Sequence, residues 1–120
     1  MTDRTKTPET VAKELIANPP KEELRAAGIY YSVTLSNSNG FYLISWQEDV
    51  TGSYDWVALY PNSDVPDSAY ITDCKYNWQW AVNGNSYTCC TPVSSGHQAR
   101  YLIWDGKAKA YVAVAWSNIL

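Results

Sequence analysis

The sequence predicts an all-β fold, an immunoglobulin-like antiparallel sandwich of about seven strands with a short helical N-terminal extension. Three observations predict it. Seven short strand-like segments follow one another at regular spacing after Gly28, clusters of turn-forming residues separate them, and no helix-period segment stands between them. Composition changes at the same boundary. The first 28 residues hold 10 of the 21 charged side chains and no aromatic ring, whereas the other 92 hold all 17 aromatic rings. The chain therefore divides into a helical extension, 1–28, and a β-sandwich binding domain, 29–120.

Within the extension, Thr7-Pro8-Glu9 sets a capping hydroxyl before a proline at the first helical position, with an acid in the first turn. Val11, Leu15 and Ile16 follow at helical spacing, and Asn18-Pro19-Pro20 stops the run. A second short helix is expected from Lys21 to Ala27, with Leu24 on its apolar side and Gly28 closing it. Helices of two or three turns are not stable alone in water, so the extension either packs onto the body or serves as a docking arm.

In the body, Ile29 to Leu35 alternates, with Ile29, Tyr31, Val33 and Leu35 on one face. The Ser36–Gly40 turn joins it to a strand from Phe41 to Trp46. Tyr54–Tyr60 is the third strand, ended by Pro61-Asn62, and Tyr76–Val82 the fourth. Asn83-Gly84 has the signature of a two-residue hairpin leading into Asn85–Thr91. Gln98–Trp104, the Asp105-Gly106 turn and Ala108–Ser117 complete the set.

The segment Asp55-Trp56-Val57-Ala58-Leu59-Tyr60-Pro61 resembles the D-W-[IV]-[GA]-[LIV]-[FY] strand of SKICH-type domains and of the N-terminal sandwich domain of purple acid phosphatases. Gly96-His97-Gln98-Ala99-Arg100-Tyr101-Leu102, with Tyr111 to Asn118 after it, is similar to their closing hairpin. The resemblance spans roughly residues 29 to 118. It implies a stand-alone recognition sandwich with Trp56 as its central aromatic among Val57, Leu59, Leu102, Ile103, Val112 and Val114. Tyr101 would be a corner tyrosine bonded to nearby backbone, and Arg100 would pair with a carboxylate such as Asp55. No catalytic domain of those families accompanies it, so their chemistry does not carry over.

Charge and motif exclude several function classes. A net charge of -3 does not suit nucleic acid, which demands clustered cations. No segment approaches the roughly 18 apolar residues of a membrane span, and the N-terminus lacks an apolar signal core. Cys74, Cys89 and Cys90 make no paired framework and point to a reducing, cytoplasmic setting, with leaderless secretion left open. They also lack the knuckle spacing of a zinc site. Asp64, Asp67 and Asp73 lack a calcium-loop register. Glu48-Asp49 reads as a solvated turn. No motif asks for a cofactor.

What is left is an excess of rings. Seventeen aromatics are more than two inner faces need, so some should stand at the surface, where rings stack on sugars. Planar amides and backbone groups would orient the hydroxyls. The expected function is non-catalytic, lectin-like recognition of a glycan or glycoprotein through Tyr76, Trp78, Trp80, Asn83, Asn85 and His97. A protein- or membrane-docking module is the alternative that the SKICH-type resemblance implies. A small enzyme using Cys89 or Cys90 with His97 is the remote one, and a homodimer through an exposed edge strand is left open.

Overall fold

The computed structural model describes residues 5–20, 29–74 and 77–120. The expected helix at Lys21–Ala27 and the ring of Tyr76 lie outside the described residues. Helix α1 (Pro8–Ala17) precedes seven strands: β1 (Tyr31–Ser38), β2 (Phe41–Glu48), β3 (Trp56–Tyr60), β4 (Trp78–Trp80), β5 (Ser86–Pro92), β6 (Gln98–Asp105) and β7 (Ala110–Trp116). They form two antiparallel sheets, β1-β2-β5 and β4-β3-β6-β7. The fourth strand lies beside β3, where the constant-type immunoglobulin arrangement keeps it on the opposite sheet.

The hairpin from β1 to β2 turns at Asn39-Gly40, both at positive φ (52° and 90°), as a type I′ turn needs. The turn expected at Asn83-Gly84 is different. Ala81–Asn83 forms a 3₁₀ turn, Gly84 sits at a positive φ of 153°, and β4 and β5 lie in opposite sheets. That dipeptide carries the chain across the sandwich instead of closing a hairpin.

Period-two alternation on β1 and β2 sends Val33, Leu35, Tyr42, Ile44 and Trp46 inward, where they meet Val57, Leu59 and Tyr101 of the other sheet. Trp56 is not in this core. As the neighbour of inward-facing Val57 it must point the opposite way, and it lies on the outer face of the four-stranded sheet. Ala58, Tyr60, Trp78, Trp80 and Leu102 share that face, with Tyr54, Tyr70 and Tyr111 packed against them. Of the residues expected around Trp56, Leu102 is with it, whereas Val57, Leu59, Ile103 and Val114 belong to the inner core.

Six rings on an outer face, Tyr70 aside, need a cover, and two segments supply it. Val11 and Leu15 of α1 pack on the cluster, one helical turn apart. Ile16, one position further round, is half exposed. The Thr7 hydroxyl caps the helix by accepting the Thr10 N–H, and the Tyr70 hydroxyl donates to the Glu9 carboxylate. Val65 and Tyr70 bring the long β3–β4 connection over the same face. The molecule thus has three layers and two cores. Much of the ring surplus fills the second core, while Trp116, Tyr30 and Phe41 stay 56%, 54% and 41% exposed, as the surplus led one to expect of some rings.

Loop and edge contacts hold these layers in register. Arg100 is buried, and it pairs with Asp67 (2.9 Å), not Asp55. Asp67 Oδ2 also accepts the Ala113 N–H of β7 at the bulge opposite Leu102. The Tyr101 hydroxyl donates to the Asp55 carboxylate at 2.9 Å instead of to nearby backbone. On the edge of β1, the Asn118 amide takes both main-chain groups of Leu35. Cys74 and Cys90 form a disulfide that joins the end of the β3–β4 connection to β5. This corrects the expectation of unpaired thiols and removes the cysteine argument for a reducing compartment. Closing a loop of this length stabilises the fold by about 3 kcal/mol in the chain-entropy account.

Candidate functional site

Trp78 and Trp80 are 5% and 0% exposed beneath α1 and the β3–β4 connection, so neither presents a ring face to a ligand. Their burial follows from β4's place beside β3, whose covered outer face they extend. Asn83 is half-buried, its amide donating to Gln79 Oε1 at 3.0 Å, so it braces the turn after β4.

His97 stands at the opposite end of the sandwich. It precedes Gln98, which pairs with Tyr60 at the far end of β3, whereas Trp80 pairs with Trp56 at the near end. Tyr42 Oη lies 2.9 Å from His97 Nδ1 and donates to the Leu120 carbonyl at 2.8 Å. That phenol has one proton, already committed to Leu120, so His97 Nδ1 carries its own and donates to Tyr42. The His97 main chain exchanges two hydrogen bonds with Leu120. His97 therefore clamps the chain end and does not join Asn83 and Asn85. Cys90 is committed to its bridge with Cys74, and Cys89 is buried on the inner face. No group of three or more His, Cys, Asp or Glu side chains able to hold a metal ion occurs among the described residues.

Asn85 is placed differently. It helps to line an open depression of about 310 Å³ on the outer face of the β1-β2-β5 sheet, together with Ser32, Thr34, Ser45, Trp46 and Gln47. The inward turn of Val33, Leu35, Ile44 and Trp46 forces their neighbours Ser32, Thr34, Ser45 and Gln47 outward. Cross-strand register then sets Ser32 opposite Gln47 and Thr34 opposite Ser45. Asn85 is held against β2 by two contacts with Trp46: its carbonyl accepts the Trp46 N–H (2.9 Å), and its amide reaches the Trp46 carbonyl (3.4 Å). Among the described residues, no ionisable side chain lines the depression. It offers hydroxyls that both donate and accept, and amides with fixed donor and acceptor ends.

Among the described residues of the expected set, Asn85 is the one that lies here. Ser32, Thr34, Ser45 and Gln47 were missed, although Tyr31-Ser-Val-Thr-Leu-Ser-Asn-Ser38 carries their signal in its alternating hydroxyls.

Electrostatic strain sits elsewhere, on buried phenols. Burial, then the Asp55 and Glu48 carboxylates, push the Tyr101 hydroxyl far above the usual phenol range. This places Glu48 against Tyr101, not in a solvated turn. Burial first, and Asp67 after it, raise Tyr60 as well. A phenol held neutral in the fold stabilises it fully below the unfolded-state pKa of about 10, and that contribution is lost as pH climbs beyond it. Unfolding by urea should therefore need less denaturant with each step above about pH 10. Spectroscopic titration should show the Tyr60 and Tyr101 phenolates appearing only as the fold is lost. Ordinary titration of all ten tyrosines in the folded state would contradict this.

Set against family models, curated proteins and solved structures, the chain finds no match. The likeness to SKICH-type domains rests on its strand pattern alone.

Proposed function

We propose that the chain is a non-catalytic binding module that recognises a neutral glycan on the outer face of the β1-β2-β5 sheet. The observation that carries this reading is the lining of the depression: Ser32, Thr34, Ser45, Gln47 and Asn85 converge there, with no charged group among the described residues. Short hydroxyls and planar amides match a ligand rich in hydroxyls, and the missing charge favours neutral sugars over acidic ones. The mechanism moves from stacking on Trp78 and Trp80 to hydrogen bonding across strands.

Docking of a protein or membrane partner has less to draw on. The apolar side of α1 is spent on the second core. Strand addition at β1 would have to displace Asn118 from Leu35. With Cys74 and Cys90 bridged, the reading places the protein's work in oxidising surroundings.

A glycan array probed with the intact protein tests the proposal. Neutral glycans should bind, and Asn85→Ala or Gln47→Ala should weaken the best of them about tenfold, the worth of one or two net hydrogen bonds. Binding confined to sialylated or sulfated glycans, or undiminished in both variants, would overturn it.

A further inference from the structure

We infer that the ligand is an extended, unbranched glycan chain lying crosswise over the strands, with successive sugar rings above Thr34, Ser45 and Ser86. This rests on the glycan reading and goes beyond it to the form of the ligand.

The register carries the argument. Thr34 pairs with Ser45, and Ser45 pairs with Ser86, so three hydroxyl side chains stand in one row across β1, β2 and β5. Neighbouring strands are about 4.8 Å apart, so the row repeats at that distance. Along a strand, by contrast, residues on one face recur only every ~6.7 Å. The shorter repeat is close to the length of one pyranose ring in an extended chain, and three strands accommodate about three rings.

The two sides of the row differ. Toward the Glu48 end of β2 stands an amide wall, with Gln47 opposite Ser32 and Asn85 beside Trp46. Toward the hairpin, Leu43 takes the central place between Ser36 and Thr88, and half-exposed Phe41 lies beyond it. A sugar ring has the same two-sidedness, with hydroxyl edges and apolar C–H patches. The track therefore offers one side to each, and no charged side chain stands on this face of the three strands.

Titration calorimetry on the intact protein with mono-, di-, tri- and tetrasaccharides of β-1,4-linked glucose and of β-1,4-linked N-acetylglucosamine tests the inference. In the series that binds, affinity should rise about tenfold or more from one ring to three and level off at four. Ser45→Ala, in the centre of the row, should cost the trisaccharide about tenfold at unchanged melting temperature, whereas Ser36→Ala, in the flanking row, should cost less than about threefold. If a monosaccharide binds as tightly as the trisaccharide, or Ser36→Ala weakens binding as much as Ser45→Ala, the crosswise track is wrong and the glycan reading survives. If no saccharide on the array or in the calorimeter binds, the glycan reading itself falls, and the track with it.

Discussion

Replacing Asp67 with alanine will destabilise the fold by about 3 kcal/mol. Asp67 joins the β3–β4 connection to the four-stranded sheet. One carboxylate oxygen meets Arg100 Nη1 at 2.9 Å, and the other accepts the Ala113 N–H at 3.0 Å. Arg100 has little else to carry its charge. Its side chain is 3% exposed, its guanidinium lies 4.2 Å from the Tyr60 ring centroid, and its remaining contacts, Gln98 Oε1 and the Ser63 carbonyl, are neutral. Removing one partner of a buried pair leaves the other charge uncompensated, which costs about 3–5 kcal/mol. The Asp67 side chain keeps 32% exposure, so water softens the loss and the lower figure applies. Asp67→Asn should cost less, since it still accepts the Ala113 N–H. Arg100→Met added to Asp67→Ala should recover part of the loss. Urea denaturation checks all three. A loss below about 1 kcal/mol for Asp67→Ala would mean that water reaches Arg100.

Val11→Asp should strip α1 from the body. Val11 is 1% exposed on the aromatic cluster, and a ten-residue helix is not stable without such contact. A carboxylate there would sit unpaired among indoles, at a cost of about 3 kcal/mol, which exceeds what Leu15 and the Glu9–Tyr70 bond return. The expected result is a loss of helical dichroism, a red shift of tryptophan emission and binding of a hydrophobic dye, with the inner core still folded. Ile16→Asp, on the half-exposed side of the same helix, should change none of these. Identical spectra for Val11→Asp and the wild type would show that the second core does not depend on α1.

Most short-range signals in the sequence hold, the Asn83-Gly84 hairpin excepted. The Thr7-Pro8 start of the helix and the alternation of β1 each depend on residues within a few positions and stand as expected, whereas the Ser36–Gly40 turn narrows to Asn39-Gly40 because β1 runs on to Ser38. The third layer was harder to see, yet it left a mark. Trp56-Val-Ala-Leu-Tyr60 does not alternate but is apolar throughout, as a strand covered on both faces requires. Taken as a one-sided strand, it makes the aromatics look like a surface surplus. Taken as a two-sided one, it calls for a second core and a cover, which Val11 and Leu15 provide.

Partner choice across long separations was not legible. Arg100 has Asp55 and Asp67 at similar removes in sequence, and only the path of the β3–β4 connection selects Asp67. Cys74 likewise meets Cys90 because β5 crosses to the other sheet. The same crossing separates Asn85 from Trp78 and Trp80, so residues close in sequence face opposite sides of the sandwich.

Amide and indole N–H spectra recorded during titration of the intact protein with a neutral trisaccharide test the central claim, that the Trp78 and Trp80 rings are sealed and the hydroxyl face is the one that meets ligand. The account predicts shifts at Thr34, Ser45, Gln47 and Asn85, with the Trp78 and Trp80 indole signals and the α1 amides unmoved. Shifts centred on those indoles and on α1, with the β1-β2-β5 face silent, would contradict it.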